Sequence, residues 1–438
     1  MKLNISSKKI TSYLLILPCL FFAVEAIAQT DVYLRVYTKT FQRMEIDLYN
    51  FEGEYGNKAA EMTDLINDVL SNDLWMSGYF KVNKKSGAPQ NNKNGNSVDT
   101  RGSTGALAQV SGSFNLNFNN NRISIQPHLI DNASGRTIIK LEYTNKIGKE
   151  RYLIHKIADD IVYSLTGEKG IARSKIAFVS EQSNGAKEIS VMDYDGHNRT
   201  TLTSNKSINL SPAWSPQGTQ ICYTSYKTGN PDLFVFNLRT NSQIRLSNRK
   251  GLNSAPAWSP DGSKIALTLS KDGNAELYIL EVEKKKIRRL TYNRTIDSSP
   301  TWSPTNREIA FTSDRSGSPQ VYIMDSDGVN VRRLTFEGGY NDSPSWSPRG
   351  DKIAFVSRTQ SGFDIYTIDV TGENQMRLTD SSGSNEDPSW SPNGFSLIFS
   401  STRSGNKRLY SMFWDGSDQK SLTSGGTNYS PAWSAQLK

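Results

Sequence analysis

The chain has 438 residues, of which 36% are hydrophobic and 21% charged, and its formal net charge is +8. This length and composition are those of a globular protein with room for two domains, and they exclude a disordered chain and a membrane channel. The positive charge does not by itself indicate nucleic-acid binding, because the first 28 residues contribute +2 of it, from three lysines and one glutamate.

Residues 1–28 have the pattern of a secretory signal peptide. Three lysines precede an uncharged run over residues 10–24, and alanines follow at positions 26 and 28. We therefore predict cleavage before Gln29 and export of the mature chain to the periplasm.

A membrane anchor and a lipoprotein signal are the alternatives to cleavage. The uncharged run is shorter than the roughly 20 residues that a membrane-spanning helix needs, and Glu25 interrupts it. Cys19 follows Pro18, where a lipoprotein signal has a small residue. Removal of the signal leaves one cysteine, Cys222, which excludes an intramolecular disulfide and is interpreted as a buried core residue.

The segment after the signal predicts a small α+β domain. A strand near 44–49 precedes a helix at 59–74, whose apolar residues recur on one face. Three alternating strands between 106 and 144 and a second helix at about 150–165 complete the domain.

Within this domain, which we bound at 29–168, residues 81–104 differ in composition. They are rich in Asn, Lys, Gly and Ser and contain almost no apolar side chains. Such a segment cannot bury enough surface to offset the entropy of ordering, so we predict a mobile loop.

Residues 169–438 carry a repeat. Six tryptophans stand 44, 44, 44, 44 and 43 residues apart, each with proline two residues before it and serine directly after it: Trp214, Trp258, Trp302, Trp346, Trp390 and Trp433. Each period contains four short strand patterns separated by Gly and Asx turns. Four antiparallel strands in about 40 to 45 residues are typical of a propeller blade. The predicted fold is mainly β, with a six-bladed β-propeller after the small α+β domain.

The two ends of the repeat region predict how the propeller closes. The first unit begins at Ser174 without a tryptophan phrase, whereas the chain ends on such a phrase at 429–434. We expect this last strand to complete the first blade, which would leave no open sheet edge between the first and last blades. Proline is tolerated on an edge strand, so the tryptophan strand should line the channel.

The fourth strand of each unit often carries cations, as at 286–289 and 331–335. Charged outer edges resist edge-to-edge aggregation. We expect these cations to be spread around the rim instead of forming a nucleic-acid-binding patch.

Two segments carry a family resemblance. Residues 165–178, LTGEKGIARSKIAF, resemble the domain junction of the TolB family, and the phrase SPAWSP at 211–216 is similar to that family's blade phrase. The resemblance covers nearly the whole chain after the signal and implies a non-catalytic periplasmic adaptor of the Tol-Pal system. It implies no cofactor, metal or nucleic acid.

The resemblance also implies partners. The propeller would bind the peptidoglycan-associated lipoprotein Pal, and the N-terminal segment with Asp31, Tyr33 and Arg35 would engage the inner-membrane protein TolA. Envelope integrity and outer-membrane constriction at cell division would be the resulting functions. A propeller scaffold or sensor outside Tol-Pal, and a lyase or peptidase-associated module, are the alternatives.

A ring of Asx residues predicts where a partner binds. One Asx stands five residues before each tryptophan: Asn209, Asn253, Asp297, Asn341, Asn385 and Asn428. Loops before the first and third strands of a blade share one mouth of the channel, because chain direction alternates. Asx turns that guide the chain into the strand are the alternative role for the ring.

Residues close to the ring vary between blades, which suits specific recognition. The candidates are Leu252, Ala255, Ser298, Asp342 and Glu386. We expect the charges of Asp297 and Glu386 to be solvated and to steer docking.

Catalysis and calcium binding have weaker support in the sequence. The three histidines, His128, His155 and His197, accompany no G-x-S-x-G nucleophile elbow. We interpret His155 and His197 as surface or packing residues. The segments 193–196 and 325–328 begin like a calcium loop, but neither continues to an acidic residue at position twelve. We interpret both as hairpin turns.

Overall fold

The computed structural model describes residues 42–53, 56–87, 105–380 and 382–437. The predicted signal peptide at 1–28 and the residues Asp31, Tyr33 and Arg35 lie outside this range. Within it, no helix is long and apolar enough to cross a membrane.

The N-terminal domain is one mixed sheet with two helices. Its elements are β1 (Met44–Gly53), α1 (Gly56–Met76), β2 (Phe80–Lys85), β3 (Ala108–Asn117), β4 (Arg122–Asp131), β5 (Thr137–Lys140), β6 (Tyr143–Lys146) and α2 (Glu150–Thr166). The strand order is β2-β1-β3-β4-β5, and β6 pairs with β4. Strand β1 is parallel to both of its neighbours, and the other pairs are antiparallel. The apolar faces of α1 and α2 share one core with the strands.

Two predictions for this domain are wrong. Residues 81–85 belong to strand β2, because Phe80 and Val82 pack into the core while Lys81 pairs with Glu45 of β1 at 2.8 Å. The polar composition there belongs to an edge strand with a solvated face, and the rest of the predicted loop, 88–104, lies outside the described residues. The region 106–144 contains parts of four strands, since β5 and β6 pair with opposite ends of β4.

The propeller follows as six four-stranded sheets, and its six blades confirm the predicted architecture. Blade 1 begins with β7 (Lys175–Glu181), β8 (Lys187–Asp193) and β9 (Thr200–Thr201). Blade 2 contains β10 (Asn209–Trp214), β11 (Gln220–Ser225), β12 (Asp232–Asn237) and β13 (Ser242–Ser247). Blade 3 contains β14 (Asn253–Trp258), β15 (Lys264–Leu269), β16 (Glu276–Glu281) and β17 (Lys286–Arg289).

The remaining blades repeat this order. Blade 4 contains β18 (Asp297–Trp302), β19 (Glu308–Ser313), β20 (Gln320–Asp325) and β21 (Arg332–Arg333). Blade 5 contains β22 (Asn341–Trp346), β23 (Lys352–Thr359), β24 (Gly362–Asp369) and β25 (Met376–Arg377). Blade 6 contains β26 (Asn385–Trp390), β27 (Ser396–Ser401), β28 (Arg408–Phe413) and β29 (Lys420–Ser421), and β30 (Thr427–Trp433) returns to complete blade 1.

The tryptophan strands form the inner ring, as predicted. Strand β30 pairs antiparallel with β7, so the last strand closes the first blade, and each tryptophan strand contacts the next one around the channel. The indole N–H of Trp214 donates to the Ala432 carbonyl of blade 1 at 3.0 Å, and Trp302 and Trp390 make the equivalent bond to the blade before them. At these three positions the tryptophan therefore joins neighbouring blades, whereas the indole N–H of Trp433 donates to the Ser174 hydroxyl beside β7 of its own blade at 2.8 Å.

Every inner strand also contains a β-bulge directly before its proline. The bulged residues are Ser211, Ala255, Ser299, Ser343, Asp387 and Ser430, and all six have φ between 47° and 57°. This left-handed conformation costs roughly 1–2 kcal/mol for a residue other than glycine. The repeat therefore imposes the same bend on all six strands at the channel wall.

The N-terminal domain packs on the propeller face where the inner strands end. We call this the joint face; it carries the turns at 194–199, 391–395 and 414–419 of blades 1 and 6. Trp75 donates to Asp418 at 2.7 Å, and the rings of Tyr79 and Phe395 meet edge to face at 4.9 Å. One apolar core runs from the helices through these turns, so the domain is fixed to the propeller.

The junction between the domains is held by one buried carboxylate. Asp159 of α2 accepts hydrogen bonds from the Ala172 N–H at 2.8 Å, the Arg173 Nε–H at 2.8 Å and the Gln436 side chain at 2.7 Å. A Cβ on Gly170 would lie 2.2 Å from this carboxylate. The segment 167–174 thus joins α2, the first blade and the chain's last residues, while the boundary at 168/169 stays a prediction.

Candidate binding site at the open mouth of the propeller

The face opposite the joint carries the loops that lead into the inner strands. We call it the open face and define it by the loops 202–208, 248–252, 290–296, 334–340, 378–380 with 382–384, and 422–426. The loops between the second and third strand of each blade lie on the same face, because chain direction alternates within a blade.

The Asx ring lies at the root of these loops, but its side chains are fully buried. Asn253 accepts hydrogen bonds from the Ser247 hydroxyl at 2.7 Å and the Arg249 N–H at 3.1 Å, and it donates to the Pro231 carbonyl at 3.0 Å. Asn209 likewise accepts from Ser225 at 2.6 Å. The prediction that Asn209, Asn253, Asp297, Asn341, Asn385 and Asn428 contact a partner is therefore wrong for these side chains. Four of them bond to the preceding blade: Asn209, Asn253, Asn341 and Asn385. Asp297 and Asn428 bond to their own loops, at Asn293 and Gly425.

The expectation that Asp297 is solvated is also wrong. Its carboxylate is fully buried and receives the Asn293 amide at 2.6 Å and the Arg315 guanidinium at 3.0 Å. Glu386 differs, because it stays partly exposed and pairs with Lys407 at 2.9 Å. Of these two charges, only Glu386 is available to steer a partner.

The other predicted residues lie on the open face or just inside the channel. Leu252, Ala255, Ser298 and Asp342 are all partly exposed. Asp342 accepts from Thr312 at 2.7 Å, which joins blades 4 and 5 beside the channel. The structure therefore brings these residues together around one mouth, as their positions before the tryptophans predict.

The open face also carries a group of apolar side chains, of which the sequence analysis names only Leu252. We call it the apolar arc: Ile208, Leu252, Ile296 and Tyr340, each directly before an Asx residue in four consecutive blades. Ile296 is 53% exposed, and the equivalent residues of the other two blades are Ser384 and Thr427. Reading the position six residues before each tryptophan would have revealed the arc.

The backbone of the arc is fixed. Each arc carbonyl accepts a hydrogen bond from a backbone N–H near the end of the second strand of its blade, with N···O distances of 2.9 Å at Ile208, 3.2 Å at Leu252 and Ile296, and 3.0 Å at Tyr340. A backbone that is already ordered at these positions reduces the entropy that the loops lose on binding, which favours affinity.

Two exposed aromatic rings lie in the open-face loops that lead to Ile296 and Tyr340. Tyr292 is 74% exposed and Phe336 is 71% exposed. The guanidinium groups of Arg289 and Arg333 lie 4.7 Å and 5.0 Å from their ring centroids. Aromatic and aliphatic groups inside a polar rim are the composition of a protein-binding surface.

Comparisons with known proteins agree with this architecture. The sequence model of the family described as "TolB beta propeller domain" matches residues 162–437, and that described as "TolB amino-terminal domain" matches residues 32–138. The chain belongs to the TolB family.

Individual members of the TolB family are similar to this chain in sequence and in structure. The chain is 34% identical over 193 residues to the Tol-Pal system protein TolB of Legionella pneumophila and 40% identical over 194 residues to that of Geobacter sulfurreducens. These alignments cover 43% and 44% of this chain and 44% of each relative, so they span under half of the relatives' length. The crystal structure of TolB from Acinetobacter baumannii superimposes with a TM-score of 0.75 at 28% identity, covering 90% of this chain and 97% of that one.

A second cluster of functional groups lies where the N-terminal domain meets the joint face of the propeller. We call it the joint cluster. The His155 Nδ1 is 2.7 Å from the Asp73 carboxylate of the same domain, and its Nε2 is 3.7 Å from the Asp195 carboxylate of the propeller. Tyr194 donates to Asp73 at 2.5 Å, and Arg151 pairs with Asp195. Burial opposes a charge on His155, but Asp73 and then Asp195 outweigh it and raise the pKa of the imidazole.

The same three residues, Asp73, His155 and Asp195, have the ligand types of a metal site. Their geometry does not suit one ion, because the two carboxylates lie on opposite nitrogens of the imidazole. His155 is therefore neither a surface residue nor a simple packing residue: it bridges a carboxylate of each domain. His197 is exposed and lies 3.3 Å from Asp195.

Proposed function

We propose that the protein is a non-catalytic periplasmic component of the Tol-Pal system whose open face binds a Pal-like lipoprotein. Membership of the TolB family supports the Tol-Pal assignment, since the relatives matched carry that name. Through such binding, the protein would link the lipoprotein to the inner-membrane Tol complex and contribute to envelope integrity and outer-membrane constriction at division.

The observation that carries the proposal is the apolar arc. It presents Ile208, Leu252, Ile296 and Tyr340 at the mouth opposite the N-terminal domain. Asp342 lies in the last of these four blades and Glu386 in the next one, and they add polar groups at the end of the arc. A central apolar group with a polar rim fits a folded protein partner better than a small polar substrate.

Two further parts of the proposal, the lack of catalysis and the contact with a TolA-like protein, rest on other observations. The histidine nearest to a catalytic geometry, His155, is buried between two carboxylates and joins the domains, which favours a structural role over catalysis. Contact with a TolA-like inner-membrane protein through Asp31, Tyr33 and Arg35 rests on the family membership.

The test is a calorimetric titration of residues 29–438 with the soluble domain of the Pal-like lipoprotein from the same organism. We expect the double variant Leu252→Asp, Ile296→Asp to bind at least tenfold more weakly, because each buried aliphatic side chain contributes about 1.5–3 kcal/mol. Leu141→Asp in the N-terminal domain, where the side chain is 61% exposed, is the control and should bind normally.

Each other outcome has a defined meaning. Absence of binding by the wild type would favour a scaffold or sensor outside Tol-Pal. Equal binding by the wild type and the arc variant would place the lipoprotein elsewhere on the protein. Melting curves of both variants check that the propeller remains folded.

A further inference from the structure

The outer edge of blade 3 differs from that of the other blades in its number of cations. Residues 284–289 contain five cations in six positions, whereas the fourth strand of every other blade carries at most two. Strand β17 is also four residues long, against two in blades 4, 5 and 6. The even spread of cations that the sequence analysis predicts is therefore wrong at this blade.

These cations surround a groove. A cavity of about 420 Å³ is lined by Arg249, Lys271, Tyr278, Lys285, Lys286, Ile287 and Arg289. Arg249 comes from the loop between blades 2 and 3, and the other residues come from blade 3. Two neighbouring blades thus direct positive charge to one place on the rim.

Only part of this charge is neutralised within the protein. Arg289 pairs with Glu276 at 2.8 Å, and Lys271 pairs with Asp272 at 2.7 Å. Across the described part of the chain, Arg249, Lys285 and Lys286 have no carboxylate within 4 Å, and all three are exposed. Three cations are therefore free to attract an anion.

The strand that carries the cations is held in place. Arg288 donates to the backbone carbonyls of Asp327 at 2.8 Å and Ser326 at 3.3 Å in blade 4. The charged groups therefore stand on a fixed edge between two blades, where a flat ligand could meet several at once.

Exposed aliphatic side chains flank the basic strand on both sides. Ile244 in β13 of blade 2 is 55% exposed, and Val329 and Val331 are exposed beside β21 of blade 4. Cations interspersed with aliphatic groups are typical of surfaces that lie on a bilayer interface. A small soluble anion would use the cations but not the aliphatic groups.

We propose that the outer rim of blades 2 to 4, centred on Arg249, Lys285 and Lys286, binds the surface of a bilayer containing anionic phospholipid. The inference rests on the proposed envelope location, but it uses the rim of the propeller and not the apolar arc. The protein could then lie on a membrane while its open face holds a protein partner.

The experiment is vesicle flotation of residues 29–438 with 30% phosphatidylglycerol in phosphatidylcholine, compared with pure phosphatidylcholine. We expect binding to the anionic vesicles only, weakened by raising the salt from 0.1 M to 0.5 M. The variant Lys285→Glu, Lys286→Glu should lose at least tenfold in affinity. The control Lys140→Glu, Lys146→Glu makes the same change in net charge on the N-terminal domain and should bind like the wild type.

Three results would overturn the proposal. The first is that the protein binds both kinds of vesicle equally, and the second is that both charge variants lose the same affinity for the anionic vesicles. The third is that 10 mM glycerol phosphate abolishes vesicle binding while Ile244→Ser leaves that binding unchanged. The last result would indicate a site for a small anion. Titration of the Pal-like domain into the same variants separates this inference from the proposed function, because the rim variants should bind that domain normally.

Discussion

Replacing His155 with glutamine should loosen the joint between the N-terminal domain and the propeller. The imidazole lies between Asp73 on α1 and Asp195 in the turn after β8, with Nδ1 2.7 Å from the first carboxylate and Nε2 3.7 Å from the second. The ring of Tyr194 meets it edge to face at 5.8 Å, while Arg151 and His197 face Asp195. Glutamine keeps a donor but loses the positive charge between the two carboxylates.

The expected magnitude follows from burial. Removing one partner from a buried ion pair costs about 3–5 kcal/mol, because the remaining charge stays desolvated. The pKa of His155 is raised in the folded protein, from about 6.5 in an unfolded chain. Its contribution is therefore complete below about pH 6.5 and is lost as the pH rises through the folded-state pKa.

The assay is urea unfolding of the wild type and His155→Gln at pH 6 and pH 9, with limited proteolysis as a probe of domain separation. We expect the variant to be less stable than the wild type by several kcal/mol at pH 6, with a smaller difference at pH 9. His197→Gln, at the exposed side of Asp195, is the control. An equal loss at both pH values would refute the argument that a charged imidazole bridges the domains.

Three further predictions concern the framework of the propeller. In a urea titration, Asn253→Ala should lower the free energy of unfolding by about 2–3 kcal/mol, because it leaves the Ser247 hydroxyl and the Arg249 N–H without their acceptor. The control Asn428→Ala loses only a bond to the Gly425 carbonyl and should lower the free energy of unfolding by less. Gly170→Ala should cost about 1–3 kcal/mol through its clash with Asp159, whereas Gly339→Ala, with open space around it, should be nearly neutral in thermal melts. Deleting residues 429–438 should open blade 1 at β7 and increase aggregation, measured by light scattering.

The propeller could be predicted from the sequence because each blade repeats the same local signals. Proline and tryptophan at fixed spacing mark the inner strand, and the unpaired phrase at 429–434 shows that the last strand closes the first blade. The strand at 81–85 could not be recognised by composition, because it is an edge strand whose solvated face is made of Lys and Asn. The positions that face the core, buried Phe80 and partly buried Val82, form too short a pattern to be recognised.

The candidate binding site was only partly predictable from the sequence. Repetition drew attention to the Asx ring, but a polar residue that repeats in every blade serves what all blades share, the attachment of loops, and is therefore buried. The proposed recognition would depend on how the blades differ, as at Ile208, Ile296 and Ser384. The joint cluster could not be found at all, because Asp73, His155 and Asp195 meet only through the packing of distant segments.

The measurement that tests the central claim most directly is photocrosslinking in intact cells. A benzophenone amino acid at Leu252 would sample the open face, and one at Tyr163, which is 61% exposed on α2, would sample the side of the joint. The proposed function predicts that the Leu252 probe crosslinks to the Pal-like lipoprotein and that the Tyr163 probe does not. Crosslinking of the lipoprotein from Tyr163 alone, or from neither position, would contradict it.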